Sequence, residues 1–130
     1  MVNGRVEMMC TGNVVQDKSF RFAIRIVNVY KHLVKEQKEY VLVKQVLRSG
    51  ISVGANANEA QSAQSKADFI AKMSIASKEA RETEYWIRLL ISTGYLDQEQ
   101  HHVQTLLEES TEISKLLTSI VKTAQQKERK

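Results

Sequence analysis

The stretch RSGISVGANANEA, residues 48–60, decides the fold, because it reads as helix although its composition opposes one. It contains two glycines, two serines and two asparagines, which all weaken a helix, but no proline. A glycine inside a helix costs about 1 kcal/mol relative to alanine, so a compensating contact with a neighbouring backbone is expected. The residues expected to permit this close packing are Gly50, Gly54 and Ala57. The alternative, that a glycine marks a break or kink, stays open.

The same helix carries a polar stripe along another side. Arg48, Ser52, Asn56 and Glu59 follow one another at helical spacing. A solvated stripe usually favours Lys and Glu, since Ser and Asn are poor helix formers. Two interpretations therefore remain: a solvated face, and a buried or interfacial network of hydrogen bonds.

The rest of the chain predicts three further helices, which makes four in all. It contains no proline and only five glycines, which favours long helices. Apolar periodicity predicts helices over 19–34 and 39–61, and a third that begins just before Phe69 after the capping sequence SKAD. Gly94 is expected to end the third helix and Asp97 to cap the fourth, which frays into QQKERK.

Four amphipathic helices with short connections predict an all-α protein, an antiparallel up-down four-helix bundle. We expect a flexible N-terminal extension over residues 1–17, the bundle over 18–124, and a polar basic tail over 125–130. The first helix has two apolar lines, through Phe20 and through Phe22, so we expect it to be buried on two sides.

Composition indicates a single domain of 130 residues, with 42% hydrophobic and 26% charged residues. No apolar run approaches the roughly 20 residues of a membrane span, and the N-terminus lacks the basic start and apolar stretch of a secretory signal. The lone Cys10 excludes an intramolecular disulfide. We therefore expect a cytoplasmic protein that does not contact a membrane.

The third helix has a second line of residues beside its core line. Ile75, Trp86 and Leu89 are its apolar members, and Glu79 and Glu82 lie between them. Because a monomeric bundle needs one apolar seam per helix, this surplus predicts self-association, with Ile75, Trp86 and Leu89 as interface candidates.

The two carboxylates of that line extend the polar stripe into a polar seam. An ion pair from Arg48 to Glu79 or Glu82, within or between subunits, would use the rigid fork of arginine and set helix register. The predicted seam, structural or interfacial in role, consists of Arg48, Ser49, Ser52, Asn56, Glu59, Glu79 and Glu82.

Catalytic patterns are scarce. Glu99 and His102 have the spacing of a di-iron ligand pair, but no second pair exists. Glycine loops for phosphate, zinc spacings and a histidine base for a serine nucleophile are also absent from the sequence. We expect a non-enzymatic protein without cofactor or metal.

Nucleic acid is a further candidate partner, because the formal charge is +4 and the pI is near 9.2. Acidic residues interleave with the cations of the third helix, which is also typical of a solvated face. Binding by these cations would be led by the phosphate backbone and sensitive to salt. The candidates are Lys66, Lys72, Arg81, Arg88, Lys127, Arg129 and Lys130.

Four segments resemble the bacterial four helix bundle protein family, encoded in intervening sequences of large-subunit ribosomal RNA genes. They are KSFRFAIRIV (18–27), RSGISVGANANEA (48–60), SKADFIAKMSIASKEARETEYWIRLL (65–90) and EISKLLTSIVKT (112–123). The family pattern R-S-x-x-S-[IV]-x-x-N-x-x-E falls on Arg48, Ser49, Ser52, Val53, Asn56 and Glu59.

The resemblance implies an up-down bundle that assembles as a ring, commonly a homopentamer. It also implies kinship to the accessory variability protein of diversity-generating retroelements, a basic ring that associates with a reverse transcriptase and nucleic acid. The function expected is a homo-oligomeric binding or scaffold protein; the alternative is an accessory protein that binds RNA or DNA, for which a reverse transcriptase is one candidate partner. No catalytic role follows from the resemblance.

Overall fold

A computed structural model describes residues 13–128, with side chains through Lys127. This part contains four α-helices and no strand: α1 (Val14–His32), α2 (Leu42–Ala60), α3 (Lys66–Ser92) and α4 (His101–Glu128). Each helix packs on the next, and α4 returns to α1 through a smaller contact. Within this part, none of the helices combines the length and the apolar character needed to cross a membrane.

Contacts between helices give their directions. Ser49 contacts Thr83, whereas Glu59, later in α2, contacts Lys72, earlier in α3. Helices α2 and α3 therefore run in opposite directions, and the pairs Ser77–Thr118 and Glu84–Thr111 give the same result for α3 and α4. The predicted antiparallel four-helix bundle is confirmed.

The first helix begins earlier than predicted, at Val14 rather than residue 19. Asn13 caps it, because its side-chain oxygen accepts a hydrogen bond from the Gln16 N–H at 3.0 Å. The predicted boundary between residues 17 and 18 therefore falls inside α1. At the other end of the chain α4 continues to Glu128, so residues 125–128 belong to the helix rather than to a separate tail.

The connection between α1 and α2 is largely helical. A π-helical turn, Leu33–Gln37, prolongs α1 up to Lys38, which has a positive φ of 53°. The buried carboxylate of Glu39 then accepts the N–H groups of Val41, Leu42 and Val43 at 3.1, 3.1 and 2.7 Å. Glu39 was predicted as the first helical residue, but it precedes α2, and its side chain satisfies the open N–H groups at the start of that helix.

Local signals at α3 act as predicted. The Ser65 hydroxyl accepts the Asp68 N–H at 3.0 Å, and the Asp68 carboxylate accepts the Gln64 N–H at 3.3 Å. After α3 ends at Ser92, Gly94 takes a φ of 87°, which an L residue rarely adopts. Asp97 differs from the prediction, since its carboxylate accepts the Glu99 N–H and shapes the turn before α4.

The core is one cluster that all four helices line. On α1 only the line through Phe22 is buried, whereas Phe20 is 42% exposed, so the prediction of burial on two sides was wrong for this chain by itself. The largest fully buried side chains are Phe22, Ile26, Leu33, Met73, Ile87, Leu90, Leu106, Ile113 and Leu117.

Helices α1 and α2 pack closely at Gly50 and Gly54. A Cβ atom added there would lie 2.7 and 2.8 Å from Cγ1 and Cγ2 of Ile26, closer than carbon atoms can pack. At Gly54 the nearest atom would be the carbonyl oxygen of Ser19, at 3.2 Å. Ala57 is fully buried, and α2 runs as one helix through all three positions. The small residues therefore serve close packing, without a break in the helix.

Gly50→Ala is expected to destabilise the protein although alanine is the better helix former. Overpacking of a core costs about 1–3 kcal/mol, and the gain in helix propensity offsets about 1 kcal/mol of it. Urea unfolding would measure the difference, with Gly54→Ala as the matched control that loses less. A Gly50→Ala variant as stable as the wild type would show that the displacement of Ile26 costs no more than the gain in helix propensity, about 1 kcal/mol.

Candidate functional site: a polar cluster between α2 and α3

Arg48 is the centre of a polar cluster that joins α2 to α3. Its Nη1 lies 3.4 Å from Oε2 of Glu79, and its Nη2 donates to Oε2 of Glu82. Its Nε donates to Oε1 of Gln45 at 3.3 Å. Both ion pairs are formed within one chain, so the predicted pairing needs no second subunit.

Hydrogen bonds extend the cluster in both directions along the two helices. The indole N–H of Trp86 donates to Glu82 at 3.0 Å. On the other side, the Ser52 hydroxyl donates to Glu79 at 3.5 Å, and the Asn56 amide donates to the Ser52 hydroxyl at 3.1 Å. The polar cluster thus consists of Arg48, Ser52, Asn56, Glu79, Glu82 and Trp86.

The cluster is half-buried. The side chain of Arg48 is 50% exposed, that of Glu79 16% and that of Glu82 31%. Of the two interpretations of the stripe, the geometry favours a hydrogen-bonded network whose outer edge remains in water. Such a network contributes modestly to stability, but it disfavours other registers of α2 on α3, which would leave these charges unpaired.

Two residues of the predicted seam lie apart from this cluster. Ser49 is fully buried and accepts a hydrogen bond from Thr83 Oγ1 at 2.8 Å. Glu59 pairs instead with Lys72, at 3.1 Å, near the far end of α2. Thr83 was not among the predicted site residues. The available signal was a threonine in the heptad line of apolar residues of α3, since a buried hydroxyl needs a partner.

The pKa of Glu82 is lowered from its ordinary value of 4.5. The largest cause is the hydrogen bond from Trp86; the nearby charge of Arg48 also lowers the pKa, and partial burial opposes both. Glu82 is therefore ionised at neutral pH and accepts bonds from both partners. The two carboxylates of the cluster are both engaged by Arg48, which links α3 to α2.

The interface candidates differ in their surroundings. Ile75 is 43% exposed, whereas Trp86 and Leu89 are half-buried and Trp86 packs against the core. Tyr85, which was not among the predicted interface residues, is exposed. Its ring meets the Trp86 ring edge-on, with the two ring centroids 5.2 Å apart. Trp86 is therefore partly covered within one chain, whereas Ile75 and the neighbouring Tyr85 are exposed.

Three of the five described candidate cations for nucleic acid have partners within the chain. Lys72 pairs with Glu59, and Arg88 pairs with Glu84 at 2.9 Å. Arg81 donates to the hydroxyls of Ser77 and Thr118. Lys66, at the start of α3, and Lys127, near the end of α4, are exposed at the same end of the bundle. Arg129 and Lys130, like Cys10, lie outside the described residues. Within residues 13–128, no group of three or more His, Cys, Asp and Glu side chains is placed to hold a metal ion.

Trp86→Phe is expected to raise the pKa of Glu82 toward 4.5, because it removes the indole donor and keeps an aromatic ring. A carbon-detected NMR titration of the side-chain carboxyl would measure the shift. Since the folded pKa lies below the unfolded value, the bond stabilises the protein above about pH 4.5, and this contribution is lost as the pH falls through the folded pKa. Tyr85→Phe is the control, and an unchanged pKa in Trp86→Phe would contradict the assignment.

The buried pair of Ser49 and Thr83 is expected to give non-additive losses of stability. Thr83→Val or Ser49→Ala alone each leaves a buried hydroxyl with one bond fewer, at a cost of about 1–2 kcal/mol. The double variant removes both hydroxyls and should lose less than the sum of the two. Urea unfolding of the four proteins measures the coupling, and simple additivity would show that the bond contributes nothing.

Comparison with known proteins places this bundle in a family. The sequence matches the family of the 23S rRNA-intervening sequence protein over residues 12–119. The chain is also 60% identical to a protein of unknown function from the S23 ribosomal protein family of Bacteroides thetaiotaomicron. The crystal structure of that protein matches the present structure with a TM-score of 0.79, and the match covers 83% of this chain and 98% of that chain. No curated protein matches. The resemblance found in the four quoted segments is thereby confirmed, and the chain belongs to the 23S rRNA-intervening sequence protein family.

Proposed function

We propose that the protein is a non-enzymatic scaffold that assembles from identical copies into a ring in the cytoplasm. The observation that carries this proposal is a pair of unlike apolar surfaces on opposite sides of α2. We expect five subunits in the ring, and this number rests on the resemblance to ring-forming relatives and not on the geometry of one chain. The engagement of both cluster carboxylates by Arg48 supports a structural role for the polar cluster.

The first surface, which we call the α1–α2 groove, is concave. Phe20 and Ile51 form its apolar walls, Ala23 and Ala55 lie between them, and Gly54 forms part of its base. Gln16 and Asn58 add polar groups at one end. Phe20 and Ile51 are each more than 40% exposed, which is unusual for side chains that share one depression.

The second surface, which we call the α3 face, is the outer side of α3. Ile75 and Tyr85 project from it, and Leu89 and Trp86 lie beside them half-buried. Because α2 packs between α1 and α3, the α1–α2 groove and the α3 face lie on either side of it.

The symmetry of an assembly determines how many different contact surfaces each subunit must provide. A two-fold dimer buries the same patch on both partners, whereas a ring buries one patch of each subunit against a different patch of the next. A concave groove and a separate convex face meet the second requirement. The Arg48 guanidinium lies between the two surfaces, where a neighbouring subunit would desolvate it and strengthen its ion pairs.

Phe20→Glu and Ile75→Glu are each expected to reduce the native mass, because either places a charge in the contact between subunits. Size exclusion with light scattering would measure the mass of each variant. Val14→Glu is the control, since Val14 is exposed at the start of α1 and lines neither surface. A mixture of the Phe20 and Ile75 variants retains one intact junction and should form a dimer.

Three results would contradict this proposal. A monomeric wild-type protein would exclude self-association. A dimeric wild type would exclude the ring. Dissociation by Val14→Glu as well as by the two other variants would show that added charge alone is responsible.

The second candidate function is that of an accessory factor that binds nucleic acid. Two observations favour it. Several exposed lysines in the described part of the chain form no ion pair, and the formal charge is +4. A reverse transcriptase as partner rests on the resemblance to the accessory variability protein alone. Purification at low salt without nuclease tests this candidate: nucleic acid that co-elutes and leaves on addition of salt supports it, and a protein-like ratio of absorbance at 260 and 280 nm contradicts it.

A further inference from the structure

We infer that the outer surface of α4, with Arg81 of α3 at its edge, binds the phosphodiester backbone of a nucleic acid strand. This inference rests on the second candidate function and identifies the surface that would perform it. We call this surface the α4 groove. Two of its three cations, Lys115 and Lys122, were not among the candidates found in the sequence.

The chemistry of the α4 groove is uniform. Lys115 and Lys122 line it together with four Ser and Thr hydroxyls, and Gln126 lies beyond Lys122 toward the end of α4. None of the described residues that line it carries a carboxylate or a large apolar side chain. Lysine and arginine cations, hydroxyls and amides are the side-chain groups that contact phosphate oxygens and sugars in protein–nucleic acid complexes.

Arg81 supplies a third cation that is held in place by hydroxyl groups. Its Nη1 donates to Ser77 Oγ at 3.0 Å and lies 3.5 Å from Oγ1 of Thr118, which lines the α4 groove. Among the described residues, no carboxylate lies within ion-pair distance of its guanidinium, in contrast to Arg48 and Arg88. Its charge is therefore not neutralised, and its remaining N–H groups can donate to phosphate.

The spacing of the cations suits an extended ligand rather than a single anion. Lys115 and Lys122 are seven residues apart, about 10 Å along the helix axis. A cradle for one phosphate would instead direct several donors to one point. The lining contains no aromatic side chain, so stacking of bases is not expected, and binding should be independent of sequence and sensitive to salt.

The position of the α4 groove is compatible with the proposed ring. In the bundle α4 packs on α3 and α1, so it lies diagonally opposite α2, whose two sides carry the apolar surfaces. Assembly through those surfaces would leave the groove open on every subunit. Repetition of a weak site around a ring raises the overall affinity for a long strand, because later contacts are intramolecular.

The test compares two triple variants that each remove three positive charges. One changes the surface by Arg81→Gln, Lys115→Gln and Lys122→Gln; the control carries Lys31→Gln, Lys35→Gln and Lys44→Gln, which are exposed on α1, the following turn and α2. Fluorescence anisotropy with a labelled 20-nucleotide RNA, and with DNA of the same sequence, gives Kd at several salt concentrations. Circular dichroism and native mass verify that both variants keep the fold and the assembly.

The surface variant is expected to bind at least tenfold more weakly at 50 mM NaCl, and the control less than threefold. The slope of log K against log salt should fall by about 2 in magnitude, since each lost phosphate contact on a single strand contributes about 0.7. Equal affinity for RNA and DNA would support a backbone contact through phosphate alone. A preference for RNA would also support it and would add contacts from the hydroxyls to the 2′-OH.

Other outcomes would overturn the inference, and they separate it from the function on which it rests. If the wild type binds nucleic acid and the surface variant binds equally well, the α4 groove is the wrong surface while the second candidate function stands. Equal losses in both triple variants would leave only net charge as the cause. If the wild type binds neither RNA nor DNA at 50 mM NaCl, both fail. Displacement of RNA by an equimolar acidic peptide would assign the groove to an acidic protein instead.

Discussion

The rest of the structure depends on the close approach of α1 and α2 at Gly50. Because Ile26 occupies the space that any side chain at position 50 would need, the two helices have one well-packed rotation and register at this point. That rotation turns the small residues of α2 toward α1 and its polar stripe toward α3. The composition of residues 48–60 follows from this geometry: glycine where α1 packs against α2, and Arg and Ser where α3 offers hydrogen-bond partners.

The contact between α2 and α3 combines two kinds of polar interaction at different depths. The buried hydroxyls of Ser49 and Thr83 satisfy each other inside the core, and the ion pairs of Arg48 lie at the margin with water. Apolar packing alone would tolerate a shift of one turn between two long amphipathic helices. A shift here would leave buried hydroxyls and charges without partners, so the polar groups make the register specific at a small cost in stability.

The surface of the bundle is divided by chemistry. The α1–α2 groove and the α3 face carry exposed apolar residues, and the outer side of α4 carries lysines and hydroxyls. Exposed apolar residues are a liability for a monomer in solution because they promote association. The division suits a molecule that contacts its own copies through one half of the bundle and presents the other half to a different partner.

What the sequence determined by itself was local. Helix number, the caps at Ser65 and Gly94 and the all-α class follow from periodicity and from residues that act on their own backbone. The caps at Asn13 and Glu39 are equally local. They were not predicted, because each cap precedes the first residue of the apolar pattern that indicates its helix. The segment pattern also placed the chain in its family.

The tertiary structure decided which polar residues meet. The pairing of Ser49 with Thr83, of Glu59 with Lys72 and of Arg81 with the hydroxyl of Thr118 depends on the rotation and axial register of packed helices. A helical wheel places a residue on a face of one helix, but a shift of a single turn, about 5.4 Å, changes every partner across the contact. The exposure of Phe20 has the same origin, since an apolar face is buried only where a neighbouring helix covers it.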